Sequence, residues 1–157
     1  MKTFTKATIK KKAIHASHIL NEAYCYAQPV PFSRGMRVDT PGAAFIFVSG
    51  TASVNEEGKS IHIGDVEAQS WRTFRNIQAL LESEGATWQD VVRTTCYLRD
   101  IERDYEVFNR VRKAFYDEQG LDPYPASTGI QAILCRPELL VEVEAIAMIP
   151  VNGNHLE

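Results

Sequence analysis

The chain has 157 residues, 45% of them hydrophobic, and a formal net charge of −3. That length and apolar content predict one domain with a sizeable buried core. The acidic balance provides no global attraction to nucleic acid, whose binding rests on cationic contacts to phosphate, and no stretch approaches the ~20 apolar residues of a membrane helix.

Residues 1–30 read as an N-terminal extension. Lys10, Lys11 and Lys12 form a short basic cluster, expected to be a solvated, frayed end. No apolar run follows the N-terminal lysines as in a secretory leader, so a soluble, cytoplasmic protein is expected. Tyr24, Tyr26, Pro29, Pro31 and Phe32 suit a packed irregular segment leading into a domain spanning 31–151. Arg34 and Arg37 flank Gly35 and Met36. They are either an ordinary surface pair or an anion clamp, because a guanidinium holds a carboxylate bidentately. Asp39 to Gly42 is a turn. Ala44 to Ser49 (AFIFVS) is a strand apolar on both faces, and so covered on both sides by its own fold or by another subunit. Gly50 ends it, and a second turn follows at Asn55 to Gly58.

Gly64 to Glu84 is predicted to be a helix, with Trp71, Phe74, Ile77 and Leu81 in one stripe and Gly85 beyond its end. His62 stands alone before it, without a partner at metal-ligand spacing. Val91 to Leu98 is a strand rich in Val and Thr. A second helix is expected from a cap at Asp104 to about Glu118, burying Val107, Phe108, Val111, Ala114 and Phe115, with Asn109 and Arg112 off the stripe. Residues 125–149 read as two strands joined around Arg136, Pro137 and Glu138. In the second, Val141, Val143, Ala145, Ala147 and Ile149 alternate with positions that include Glu142 and Glu144, so one face is apolar and the other carries two carboxylates. Residues 152–157 are a tail. Cys25, Cys96 and Cys135 are scattered and lack CxxC spacing, so no disulfide framework or metal site is expected, and no motif calls for a cofactor.

The order β-β-α-β-α-β-β, with single-striped helices, predicts an α+β sandwich: one mixed sheet with both helices on one face. The other face would remain partly apolar, which predicts a closed homo-oligomer packed through the sheets, with Glu142 and Glu144 near the interface.

From about Phe32 to Ile149 the chain resembles the YjgF/YER057c/UK114 (Rid, reactive intermediate deaminase) family. The resemblance is carried by FVSGTASV (47–54), GDVEAQ (64–69), GATWQDVVRTTCYLRD (85–100), FNRVRKAF (108–115) and VEVEAIA (141–147). It implies a chorismate-mutase-like fold, homotrimers and small-molecule sites in the clefts between subunits. In the family's deaminases an arginine of the penultimate strand holds the substrate carboxylate, and a water attacks the imine carbon. Gly50, Asn109 and Glu144 match residues that line that cleft. Ser127 stands where the arginine belongs, Gly129 where a cysteine belongs, and Phe32 at a tyrosine position. A neutral hydroxyl cannot replace a guanidinium, so a charge is sought from Arg34, Arg37, Arg112 or Arg136, with Arg34 and Arg37 preferred because their segment aligns with the family's cleft-lining N-terminal segment.

The phrases SGTAS, GDVEAQ and PASTGI are also similar to the C-terminal half of chorismatases, in which a glutamate of the last strand protonates an enol ether. The resemblances together imply a hydrolase or deaminase acting on an enamine, imine or enol ether. Glu144 would be its acid/base, Asn109, Ser127 and Gly129 would lie in the site, and Arg34 or Arg37 would hold a carboxylate. A non-catalytic binder using the same cleft and an endoribonuclease are the other readings, and Glu144 also has a plain one, an interface residue paired to an arginine.

Overall fold

The computed structural model describes residues 9–151; the first eight residues of the extension and the tail at 152–157 lie outside it. Six strands form one sheet: β1 (Lys10–Ala13), β2 (Gly35–Thr40), β3 (Ala43–Ala52), β4 (Val91–Leu98), β5 (Ala126–Gln131) and β6 (Val141–Pro150), in the order β1-β2-β3-β6-β4-β5. All neighbours are antiparallel except β4 and β5. That parallel pair needs a long crossover, supplied by α2 (Ile101–Glu118); α1 (Val66–Ser83) connects the β3 region to β4.

Both helices cover the same face of the sheet. Ile46 and Val48 of β3, Cys96 and Leu98 of β4, and Val141, Val143, Ala145 and Ala147 of β6 meet Phe74, Ile77, Leu80 and Leu81 of α1 and Phe108, Val111 and Phe115 of α2 in one core. Its centre is aromatic: the Phe74 ring stacks on Phe115 at 5.2 Å and meets Trp88 edge-on at 5.7 Å. Sheet and helices thus have the architecture expected from the residue pattern, with one added strand.

That strand is the first correction. Lys10 to Lys12 are not frayed: they form β1, pairing antiparallel with β2, and Lys12 Nζ lies 3.1 Å from Glu84. Beyond it, Ile14, Ala16, Leu20 and Ala23 are buried, and the first three join the main core.

The helix starts also differ. Asp65 is the N-cap of α1, its carboxylate accepting from Ala68 N at 2.9 Å. Asp100, not Asp104, caps α2, accepting from Arg103 N at 3.1 Å. Asp104 lies one turn inside, buried and clasped by Arg103 at 2.7 and 2.6 Å. Ala114 is exposed, and Tyr116 takes its expected place in the core.

The segment from β5 to β6 is longer than a turn. Arg99 pins it, donating to the carbonyls of Leu134, Arg136 and Leu139 at 3.2, 2.6 and 2.7 Å. Fully buried Gln69 adds two bonds, donating to Glu138 O and accepting from Leu140 N.

Candidate functional site

The face of the sheet away from the helices carries the carboxylates. Along β6, Glu142, Glu144, Ile146 and Met148 point to this face while the alternate residues enter the core. Opposite Glu144 the β3–β6 ladder is interrupted: Val48 pairs with Ala145 and Thr51 with Val143, so Ser49 and Gly50 together oppose one residue. This is a β-bulge, which bends a strand and re-aims its side chains. The absence of a side chain at Gly50 leaves the space that Glu142 occupies: a Cβ there would overlap the Glu142 Oε1 atom as it is folded in this structure and would push that carboxylate aside.

Tyr97 of β4 completes the group, its hydroxyl donating to Glu144 Oε1 at 3.2 Å. Burial, then the charge of Glu144, raises the Tyr97 pKa. Burial raises the Glu142 pKa as well, with the neighbouring Glu144 charge adding to it. Glu142 therefore keeps its proton to higher pH than an exposed carboxyl would, beside a Glu144 carboxylate that accepts from the Tyr97 hydroxyl.

A groove of about 670 Å³ opens beside them, with Glu144, Ser49, Phe32 and Tyr24 in its walls. Ser49 is fixed by its hydroxyl, which donates to Ser33 O at 2.7 Å, and by its N–H, which donates to Arg34 O at 3.0 Å. Phe32, Gly50 and Glu144 are thus brought to one region.

Ser127, Gly129 and Asn109 are not. Ser127 lies in the β5 edge strand but turns toward the helix side, where Thr94 Oγ1 donates to its Oγ at 3.0 Å. From α2, Arg112 donates to Ser127 Oγ at 3.0 Å and also to Asn109 Oδ1. Gly129 is two residues along, facing the Tyr105 ring of α2. One chain therefore holds two part-sites: carboxylates and groove on the uncovered face, and Asn109, Arg112 and Ser127 between α2 and β5.

Both preferred arginines are engaged within the chain. Arg34 is buried, and its guanidinium donates to Asn21 O from Nε at 3.0 Å and also to the Tyr26 hydroxyl, with the Tyr26 ring 5.2 Å away. It braces the N-terminal segment. Arg37 pairs across β2–β3 with Ile46, on the helix side, and is bound by Asp39 at 2.9 Å and Glu84 at 3.4 Å. Neither presents a free fork to the groove. Arg136 is likewise engaged, with Gly58 O and Ser60 Oγ.

Tyr97 was missed from the sequence, and Arg112 was only one of four possibilities. Both had a signal. Tyr97 shares the parity of Thr95 in β4, facing the uncovered side, and Arg112 lies three residues after Asn109, hence on the same helix face.

A two-layer α+β domain with a carboxylate-lined groove on an uncovered sheet face and a polar cleft at the sheet edge is the class these features define. The Endoribonuclease L-PSP family matches residues 26–149. A RutC family protein of Pyrococcus abyssi is 34% identical over 117 residues, covering 74% of this chain and 85% of the relative. The 3-aminoacrylate deaminase RutC of Acinetobacter baylyi is 29% identical over 104 residues, covering 66% and 79%. The structure of E. coli TdcF with bound serine superposes with a TM-score of 0.70 at 25% identity, covering 88% of this chain and 98% of that one. The chain belongs to the YjgF/YER057c/UK114 family, the Rid and L-PSP proteins.

Proposed function

We propose that this protein is a Rid-type deaminase that hydrolyses the imine or enamine of a small carboxylate metabolite, in clefts formed between copies of the chain. The observation that carries the reading is the Glu142–Glu144–Tyr97 group, placed at a bulge whose glycine leaves room for one carboxylate and beside a groove large enough for a metabolite. The similarity to a 3-aminoacrylate deaminase supports the reaction class.

The second part-site lies across the sheet from the first, so a single chain does not close both around one small molecule. Assembly supplies the closure. Phe47, Met148, Val92 and Ile130 are exposed apolar side chains on strands β3, β6, β4 and β5, surface that association would cover. Three-fold symmetry is the form the family resemblance implies.

In the reaction, an enamine first takes a proton from solvent at carbon and becomes the iminium ion; Glu144 then accepts a proton from a water as the water oxygen bonds to the iminium carbon, giving a carbinolamine. The proton passes to the amine nitrogen, the carbon–nitrogen bond breaks, and the hydroxyl proton is lost as the carbonyl forms. The sum is one iminium ion and one water converted to one carbonyl compound and one ammonium ion. General acid–base assistance of this kind contributes roughly 10²–10⁴ in rate.

The test is release of ammonia from 2-aminoacrylate and 3-aminoacrylate generated in situ. Release above the buffer rate is expected, and Glu144→Gln should remove it while the oligomer, followed by gel filtration, stays intact. No excess over buffer with either enamine would sink the catalytic reading, and unchanged turnover in Glu144→Gln would remove that residue's role.

A further inference from the structure

We infer that Arg112, on α2, is the carboxylate-binding arginine of this protein, standing in from a helix for the guanidinium that β5 lacks at Ser127. This rests on the reading of the site as one that takes a small carboxylate, and it assigns that recognition to a single residue.

The geometry is local. Tyr105, Asn109 and Arg112 recur at i, i+4 and i+7 along α2, so they share one helix face, and it is the face turned to β5. The Arg112 guanidinium lies 5.4 Å from the Phe108 ring centroid, which supports its plane from behind. Its two terminal nitrogens donate to Ser127 Oγ and Asn109 Oδ1. Both acceptors are neutral. Arg37, Arg72, Arg75, Arg103 and Arg110 are each paired to a carboxylate. Arg34, Arg99 and Arg136 have no such partner among the described residues but donate to backbone carbonyls, and Arg93 donates to Thr128 Oγ1. Among the described residues no carboxylate lies within ion-pair distance of Arg112, and of these arginines it alone bonds Ser127.

Ser127 is exposed, so the cleft over it is open. A guanidinium oriented by two neutral oxygens, backed by a ring and lacking a protein counter-ion, is pre-positioned for an incoming carboxylate. A serine at 127 is then a requirement and not a loss: it is short enough to leave space for the helix arginine, and its hydroxyl aims that arginine. Gly129 and the Tyr105 ring facing it form the adjoining floor, where a Cβ at Gly129 would stand 3.5 Å from Tyr105 Cε2. The ligand class is a small organic acid.

The experiment titrates the full-length protein, by calorimetry, with 2-oxobutyrate and with its uncharged counterpart 2-butanone. The wild type should bind the acid at least about tenfold more tightly, the scale of one charge-assisted contact. Arg112→Met should lose that preference, Arg112→Lys should retain part of it, and Arg112→Met combined with Ser127→Arg should restore it by returning a guanidinium to the strand. Circular dichroism and thermal melts check each variant's fold; should Arg112→Met not fold, Arg112→Lys and Arg112→Gln carry the comparison.

Equal binding of acid and ketone by the wild type, or unaltered acid binding in the Arg112 variants, would overturn the assignment. The two proposals fail separately. Acid binding through Arg112 without turnover of enamines leaves this site and removes the deaminase. Turnover with KM unchanged in Arg112→Met leaves the deaminase and removes this site.

Discussion

Replacing Arg34 by Met tests whether this residue clasps a ligand or braces the fold. In the structure it is buried and donates to the Asn21 carbonyl and the Tyr26 hydroxyl, with the rings of Tyr26 and Phe32 at 5.2 and 5.9 Å from its guanidinium carbon. Methionine leaves the Asn21 carbonyl without that donor, a cost of about 1–3 kcal/mol for a buried acceptor. The lost ring contacts add about 0.5–2 kcal/mol, and methionine's own apolar burial offsets part of the sum. The expected destabilisation is therefore about 2–4 kcal/mol. It should appear as a lower urea midpoint at fixed protein concentration, since an oligomer's stability depends on that concentration. Groove binding should weaken as a secondary effect, because Phe32 and Tyr24 line the groove and belong to the segment that Arg34 holds. An unchanged midpoint together with abolished carboxylate binding would refute the bracing role and return Arg34 to the site.

Two further predictions concern charge. Glu142 holds its proton above the ordinary value of 4.5, through burial first and the neighbouring Glu144 charge second. From 4.5 up to that raised value the folded protein binds more protons than the unfolded chain, so this residue's contribution to stability is full below 4.5 and declines as pH rises through the window. Glu142→Gln should accordingly gain stability relative to wild type between pH 4 and pH 7 in urea titrations; the opposite trend would contradict the burial argument. Asp100→Ala should cost about 1 kcal/mol in the same assay through loss of the α2 cap, with Asp100→Asn close to wild type, and equal losses in the two variants would point to charge and not capping.

The parts of the fold legible in the sequence were those whose environment is set by local period. The alternation in β6 is visible because its inner residues are all apolar, and that period alone puts Glu142 and Glu144 on one face. The stripe of Phe74, Ile77 and Leu81 is equally local. β1 was hidden because three lysines have low strand propensity and its pairing partner, β2, begins more than twenty residues later. The α2 start was off by a turn because Asp100 and Asp104 are both plausible caps in LRDIERD, and only the buried pairing of Asp104 with Arg103 decides between them. The arginine problem was harder still. Arg34 and Arg37 follow the same approach to the sheet, but pairing sends Arg37 to the helix side and Tyr26 captures Arg34. Proximity of Arg112 to Ser127 depends on how α2 lies over β5, which no sequence period encodes.

The two ends of the sheet differ in a way that governs how this protein behaves when crowded. Among the described residues β1 is the outermost strand on one side; it is only four residues long and three of them are lysine. Such an edge discourages a neighbouring strand from adding to it. At the opposite end β5, ASTGIQ, carries no charge and is mostly exposed. Strand addition is thus open at one border and guarded at the other. Head-to-tail growth of one molecule's sheet onto the next would have to join a β5 border to a β1 border, and the lysines of β1 oppose that junction even though β5 itself is uncharged.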